Sequence, residues 1–338
     1  SDTITLTGNV EFGVVALGDS TSGADTKGVS DVNSLTVNGD VFNSAVYGDA
    51  GSDIITAGNV YNSSNISTGA GDDSISVGLV QGSTIYGGDG NDAITTGDVV
   101  QSYINGDAGN DTIQTGVISE GGVVAGGSGD DRITFGAVKN YSSVVDGGDG
   151  NDEIIGGSVS DYGRVNGGAG NDFISLDTAD SGAWIQGDVG DDYIRINTVN
   201  SAVIYGDDGN TTGLSGNDTF DLGTVSGSSV LQAGYGNDIV NIGTLSNSSI
   251  LGEDGDDIIN VNTMNSGFIS GGADNDTIVL GTMNGGNVYG DDGNDVINSG
   301  QVGGYARISG GAGDDSITTG TVETSSVYGD AGDDYIKT

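Results

Sequence analysis

One motif, Gly-Gly/Asp-x-Gly-Asn/Asp-Asp-x-Ile, returns along this chain at an almost constant interval, and that interval restricts the possible folds more than any other feature. Copies read GGDGNDAI from Gly87, GDAGNDTI from Gly106, GGAGNDFI from Gly167, GDDGNDVI from Gly290 and GDAGDDYI from Gly329. The sixth position is Asp in every copy from Gly48 onward: Asp53, Asp73, Asp92, Asp111, Asp131, Asp152, Asp172, Asp192, Asp218, Asp238, Asp257, Asp276, Asp295, Asp315 and Asp334. Neighbouring copies lie 19 to 21 residues apart, except for one interval of 26 that places an insertion near residues 207–213.

The second half of each repeat has its own pattern. A Gly, a variable residue and an apolar residue follow the Ile, as in Gly58-Asn59-Val60, Gly97-Asp98-Val99 and Gly320-Thr321-Val322. A turn rich in Ser and Asn comes next, then another apolar residue, as in Ser83-Thr84-Ile85 and Ala183-Trp184-Ile185. Three apolar columns per repeat, separated by Gly and polar turns, describe short strands, and no helical stripe is present. One repeat cannot bury so few apolar residues. Stacked repeats can, because each Ile then lies on the Ile of the coil before it. The expected fold is all-β, a parallel β-solenoid of about 17 coils. At roughly 4.8 Å per coil the rod would be about 80 Å long.

Two domains of this stack are expected. Residues 1–47 read as two degenerate coils, the first with Asp2, Ile4, Gly8 and Val10 in phase and the second with Asn33 where the motif has Asp. An insertion near residues 18–28 separates them. Residues 48–338 hold the fifteen motifs.

Charge then assigns the motif a chemistry. The chain has 49 acids against 7 bases and no His, Cys or Pro, for a net charge of −42. Such a balance excludes nucleic acid as a partner and opposes docking on an anionic membrane. No apolar run reaches the length of a membrane span. In a stack, equivalent Asp residues would stand about 5 Å apart, and two unit charges there repel by roughly 3 kcal/mol at an effective dielectric near 20. Ordinary Asn-Gly and Asp-Gly turns with solvated acids would account for one copy, but not for fifteen at a fixed phase. A hard divalent cation between successive turns removes the repulsion, and an all-oxygen site without His or Cys selects calcium. Fifteen motifs enclose fourteen intervals, so about 14 calcium ions would bring −42 to near −14. The fifteen Asp residues are the expected metal ligands.

The motif resembles the RTX calcium-binding repeat, G-G-x-G-x-D-x-U-x with U a bulky apolar residue, over roughly Gly48 to Thr338. In that family two nonapeptides make one coil with ions on both sides. Here each coil carries one motif and a different second half, so one file of ions on one edge is expected. This layout is similar to the repeats of bacterial RTX adhesins that bind ice. The resemblance implies that each ion is held by the sixth-position Asp of two successive turns, together with carbonyls of the glycine-rich loop. Thr68 and Ala233 replace the first glycine, Asp274 replaces the glycine at the fourth position, and Asn33 replaces the Asp of the first turn, so these sites should depart from the rest.

Three classes of function can sit on such a scaffold. In the similar adhesins ice is met by Thr at the third motif position, which here reads Ala50, Ala70, Asp89, Ala108, Ser128, Asp149, Ala169, Val189 and Tyr235, without Thr. An enzyme would need a nucleophile and base, and the chain has neither His nor Cys. Paired carboxylates are abundant, but a metal accounts for them. Tyr47, Tyr86, Tyr205, Tyr289 and Tyr328 directly precede motifs, as a contact stripe for cell-surface glycan or as a shield over the turn. The bases Lys27, Arg132, Lys139, Arg164, Arg195, Arg307 and Lys337 are scattered and form no patch. Both termini fall inside repeats without a polar cap, so either the rod continues in a longer polypeptide or it associates with further copies, head-to-tail or laterally. The expected role is a calcium-stabilised structural protein, secreted by a bacterium, in a surface layer, fibre or adhesin stalk. A calcium-binding module of a secreted enzyme, or an ice- or glycan-binding adhesin, is the alternative.

Overall fold

The computed structural model describes residues 3–17, 33–207 and 216–338, and among them every regular element is a β-strand. Contacts divide the chain into two compact units, Ser1–Gly168 and Ala169–Thr338.

In the first unit each coil opens with a strand directly after the motif. Ser74–Ser76 lies parallel to Asp53–Thr56 on one side and to Ala93–Thr95 on the other, with Ile75 opposite both Ile55 and Ile94. A second column stacks Val60, Val80, Val99 and Ile118. A third, on a separate sheet, stacks Ile66, Ile85, Ile104, Val124 and Val145. These residues are buried, none more than 1% exposed. β-branched side chains suit this pleated, half-buried position, and a slip of one residue would turn a whole column outward. The degenerate N-terminal coils keep the phase: Ile4 pairs with Leu35, Leu35 with Ile55 and Asn33 with Asp53. The insertion near 18–28 lies outside the described residues, as does all but Asp207 of the one near 207–213.

The second unit repeats the plan. Phe173–Asp180, Tyr193–Asn200, Thr219–Ser226, Ile239–Leu245, Ile258–Met264, Thr277–Met283 and Val296–Val302 run parallel in one sheet. Val230–Tyr235, Ser248–Asp254, Gly267–Ala273 and Asn287–Asp292 run parallel in the other.

Two features go beyond the expectation of three apolar columns joined by polar turns. A fourth position points inward, two residues beyond the motif Ile: Val77, Thr96, Thr115 and Phe135 in the first unit, Leu176, Ile196, Leu222 and Ile242 in the second. From Thr112 to Val302 the strand carrying it continues without a break into the next column, as in Thr112–Ser119 and Arg132–Lys139. The serines of the second turn are buried as well. The Ser64 amide donates to Ser83 Oγ at 3.2 Å, and the Ser83 amide to Ser102 Oγ at 3.1 Å. Ser102 Oγ donates in turn to the Val100 carbonyl at 2.8 Å. A short hydroxyl here satisfies backbone groups that the turn would otherwise leave buried and unpaired. No helix among the described residues is long and apolar enough to cross a membrane.

Candidate metal centre

The parallel register brings the sixth-position Asp residues into a column within each unit. Asp53, Asp73, Asp92, Asp111, Asp131 and Asp152 are buried in the first, and all those from Asp172 to Asp315 in the second, while Asp334 is half-buried. Their carboxylates are oriented by the backbone. Within each unit the amide of one Asp donates to Oδ1 of the Asp in the next coil, at 2.8 Å from Asp73 to Asp92 and 2.7 Å from Asp92 to Asp111. The same bond measures 2.8 Å from Asp238 to Asp257 and 2.9 Å from Asp257 to Asp276. Such amide–carboxylate bonds are charge-assisted and fix the side-chain rotamer.

The residue at the fifth position builds a second ladder in the opposite sense. Asn110 donates its amide to Asn91 Oδ1 at 2.7 Å, and Asp130 donates to Asn110 Oδ1 at 3.0 Å. Both residue types offer a carbonyl-like oxygen, which is why Asn and Asp interchange there.

Beyond Asp53, whose Oδ2 instead accepts the Asp49 amide at 2.9 Å, Oδ1 is therefore committed and Oδ2 is not. In Asp73, Asp92, Asp111 and Asp131, and in Asp192, Asp218, Asp238, Asp257, Asp276, Asp295 and Asp315, Oδ2 is buried without a hydrogen-bond partner. It faces a cradle formed by the first residue of its own motif, a glycine for all of these except Asp73, which has Thr68, and Asp238, which has Ala233. A Cβ placed on Gly87 would overlap Asp92 Oδ2 and would lie 2.7 Å from the carbonyl oxygen of Gly106 in the next coil. At Gly252 a Cβ would overlap both Asp257 Oδ2 and the Gly271 carbonyl. The glycines at the second and fourth positions hold the loop open at positive φ, +121° for Gly88 and +132° for Gly90. Asp274, at a fourth position, also takes positive φ (79°) and keeps the turn in register, its carbonyl lying under Gly293 as the glycine carbonyls do elsewhere.

An unpartnered buried carboxylate is costly, and the column shows it. Burial, with the neighbouring carboxylates adding to it, pushes Asp92, Asp111 and Asp131 up to about 7, against the pull of their amide hydrogen bonds. The same causes push Asp192 up to about 8 and Asp218 up to about 9. The described ion pairs, Arg132–Glu153 and Arg307–Asp330, stand on exposed outer faces, not at the column. Among the described residues no three His, Cys, Asp or Glu side chains group closely enough to hold an ion by themselves. What the geometry offers is one carboxylate oxygen and peptide carbonyls per cradle, an all-oxygen set of the kind that hard divalent cations take.

The structure stacks the sixth-position Asp residues that the sequence singled out, and it distinguishes their two oxygens, which the sequence did not. The tyrosines lie on the outer face of the second sheet, where their rings meet neighbours: Tyr86 meets Tyr103 at 5.8 Å, Tyr205 meets Trp184 at 4.8 Å and Tyr289 meets Phe268 at 5.4 Å. The Arg307 guanidinium lies 4.8 Å from the Tyr328 ring and 5.5 Å from that of Tyr289.

The profile of the RTX calcium-binding nonapeptide repeat (4 copies) matches residues 36–62, 83–98, 102–117, 139–162, 164–180, 242–263, 268–282, 287–301 and 307–321. No curated protein matches the chain. A solved structure, the X-ray crystal structure of a hyperactive, Ca2+-dependent, beta-helical antifreeze protein from an Antarctic bacterium, aligns with a TM-score of 0.48 at 23% identity. The alignment covers 98% of this chain and 83% of that one.

Proposed function

Because the chain carries RTX calcium-binding repeats folded as a parallel β-solenoid, we propose that it is a structural protein that folds on calcium outside the cell and is not itself an enzyme. The observation that carries this reading is the column of buried Asp carboxylates, in which Oδ2 of Asp92, Asp111, Asp131, Asp257, Asp276, Asp295 and Asp315 has no partner and faces a glycine cradle. The ligands would be the fifteen sixth-position Asp residues, from Asp53 to Asp334, with carbonyls of the first motif position. In each cradle the bound ion would supply the positive charge that a desolvated carboxylate lacks.

The compartment follows from linkage. Calcium that binds the folded chain and not the unfolded one stabilises it by mass action, and a column of unneutralised acids opposes folding where calcium is scarce. A chain of this kind stays unfolded in calcium-poor cytoplasm and folds after export, which suits a fibre, surface layer or adhesin stalk. Circular dichroism during a calcium titration, with electron microscopy in millimolar calcium and after chelation, tests the reading. Expected are β-structure that appears with calcium and is lost on chelation, and filaments or sheets if copies associate. Full β-structure in chelator at neutral pH would overturn it.

A second reading, recognition of ice, rests on one observation. Thr178, Thr198, Thr224, Thr244, Thr263 and Thr282 stand opposite one another on successive coils of the second unit. They lie on the outer face, Thr198 and Thr224 exposed and the others half-buried. Their repeat of about 4.8 Å is fixed by strand spacing. Inhibition of ice recrystallisation that is abolished by Thr224→Tyr would support it, and an inactive wild-type chain would exclude it.

A further inference from the structure

Two turns carry a side chain where the others have the first glycine, and the neighbouring turns show what that side chain meets. A Cβ built on Gly106 or Gly126 in the first unit, or on Gly252 or Gly271 in the second, overlaps Oδ2 of the Asp five residues on. The carbonyl of the next coil's first residue closes the other side of the same space. That space is one atom wide, and at these glycines no side chain enters it.

At Thr68 and Ala233 a side chain does enter it. Both residues are fully buried. The Thr68 hydroxyl donates to the Gly87 carbonyl at 2.7 Å, and this is the carbonyl that borders the cradle of Asp73. The hydroxyl therefore lies inside the cradle and uses one of its oxygens. Ala233 has no such group. Its carbonyl keeps the usual place beside Gly206, opposite Asp218, so the backbone of this turn stays in register. Its methyl carbon then points at the cradle of Asp238.

We propose that the cation file is interrupted at these two turns: the Thr68 hydroxyl closes the Asp73 cradle and the Ala233 methyl closes that of Asp238, so neither binds calcium. The proposal rests on the calcium reading above and makes it finer. Each unit then holds one closed cradle among open ones. The closures differ in kind, because Thr68 satisfies a carbonyl that a cation would otherwise meet, whereas Ala233 only excludes the ion.

Counting bound calcium by equilibrium dialysis, on the whole chain and on glycine variants, tests this. Ala233→Gly and Thr68→Gly only remove atoms from buried turns, so both should fold, and each is expected to bind one ion more than the parent chain. Gly252→Ala, which fills an open cradle, is expected to bind one fewer, with folding confirmed by circular dichroism at saturating calcium. An unchanged count in Ala233→Gly and Thr68→Gly, beside a loss in Gly252→Ala, would overturn the interruption and leave the calcium reading intact. No calcium bound by the parent chain would overturn both.

Discussion

The ring of Phe135 lies across Gly156 of the next coil, so closely that a Cβ on Gly156 would overlap the ring edge. The two residues are in register at the fourth inward position, Phe135 opposite Gly156. One side chain thus fills the volume of two coils. Phe135→Ala should leave a cavity that the glycine cannot fill, at a cost of about 3–5 kcal/mol. Gly156→Leu should overpack the same space by about 1–3 kcal/mol. The double variant should lose less than the sum of the two. Denaturant unfolding at saturating calcium measures all three. Additive losses would show that the ring and the glycine do not share this volume.

Ser83→Ala tests the buried serine ladder. The Ser64 amide donates to Ser83 Oγ, and the Ser83 amide to Ser102 Oγ. Alanine keeps the second bond and leaves the first donor buried without its acceptor, which costs about 1–3 kcal/mol. Ser74, on the outer side of a strand, serves as the control, and Ser74→Ala should change stability by less than about 0.5 kcal/mol. Equal effects at the two sites would show that the ladder contributes nothing.

The period of the motif made the coil, the parallel stacking and the Asp column readable, because Ile75, Ile94 and Ile113 recur at the spacing that stacking needs. What stayed hidden depends on which atom faces which. Asp92 and Asn91 are adjacent and similar, yet Asp92 accepts an amide from the coil before and Asn91 accepts one from the coil after. No pattern of residue types distinguishes those directions. The fourth inward column was masked by its occupants, since Val77, Thr96, Phe135 and Gly156 share no chemistry. The threonine row has no counterpart at the third motif position, because Thr198 and Thr224 lie beyond the motif, on the strand that follows it.

Proton binding should stand in for calcium. Asp73 is pushed up to about 6, Asp92 to about 7, Asp192 to about 8 and Asp218 to about 9, all above the 3.8 of an ordinary Asp. Between those values the calcium-free fold binds more protons than the unfolded chain, so its stability is fully present below about pH 4 and falls as pH rises through about 6 to 9. Without calcium the chain should be more stable near pH 5 than near pH 8. With saturating calcium, protons compete with the ion for the same carboxylates, and the preference for acid should disappear or reverse. Thermal melts in chelator and in calcium at both pH values decide the matter. A calcium-free chain that gains stability with rising pH would contradict the assignment of these carboxylates.

Asp111→Asn should change sign with the ion. The variant keeps an oxygen that can accept the Asp92 amide, which Asp111 Oδ1 holds at 2.7 Å, so the turn should stay in place. It removes the charge from the atom that faces the cradle of Gly106. In chelator that charge is an uncompensated buried carboxylate beside Asp131, and its removal should stabilise the chain by about 1–3 kcal/mol. In saturating calcium the same change deletes an ion ligand, and the neighbouring carbonyls lose the cation that joined them, so the variant should be less stable than the parent. An exposed acid such as Asp130 provides the comparison, because Asp130→Asn keeps the fifth-position acceptor and should be near neutral in both buffers. A purely structural Asp111 would make the variant worse in both conditions. Only a carboxylate that calcium neutralises gives opposite signs. In chelator the gain is read as a rise in the pH below which the chain folds, and in calcium the loss is read by denaturant unfolding, so the crossing separates a metal ligand from a turn residue.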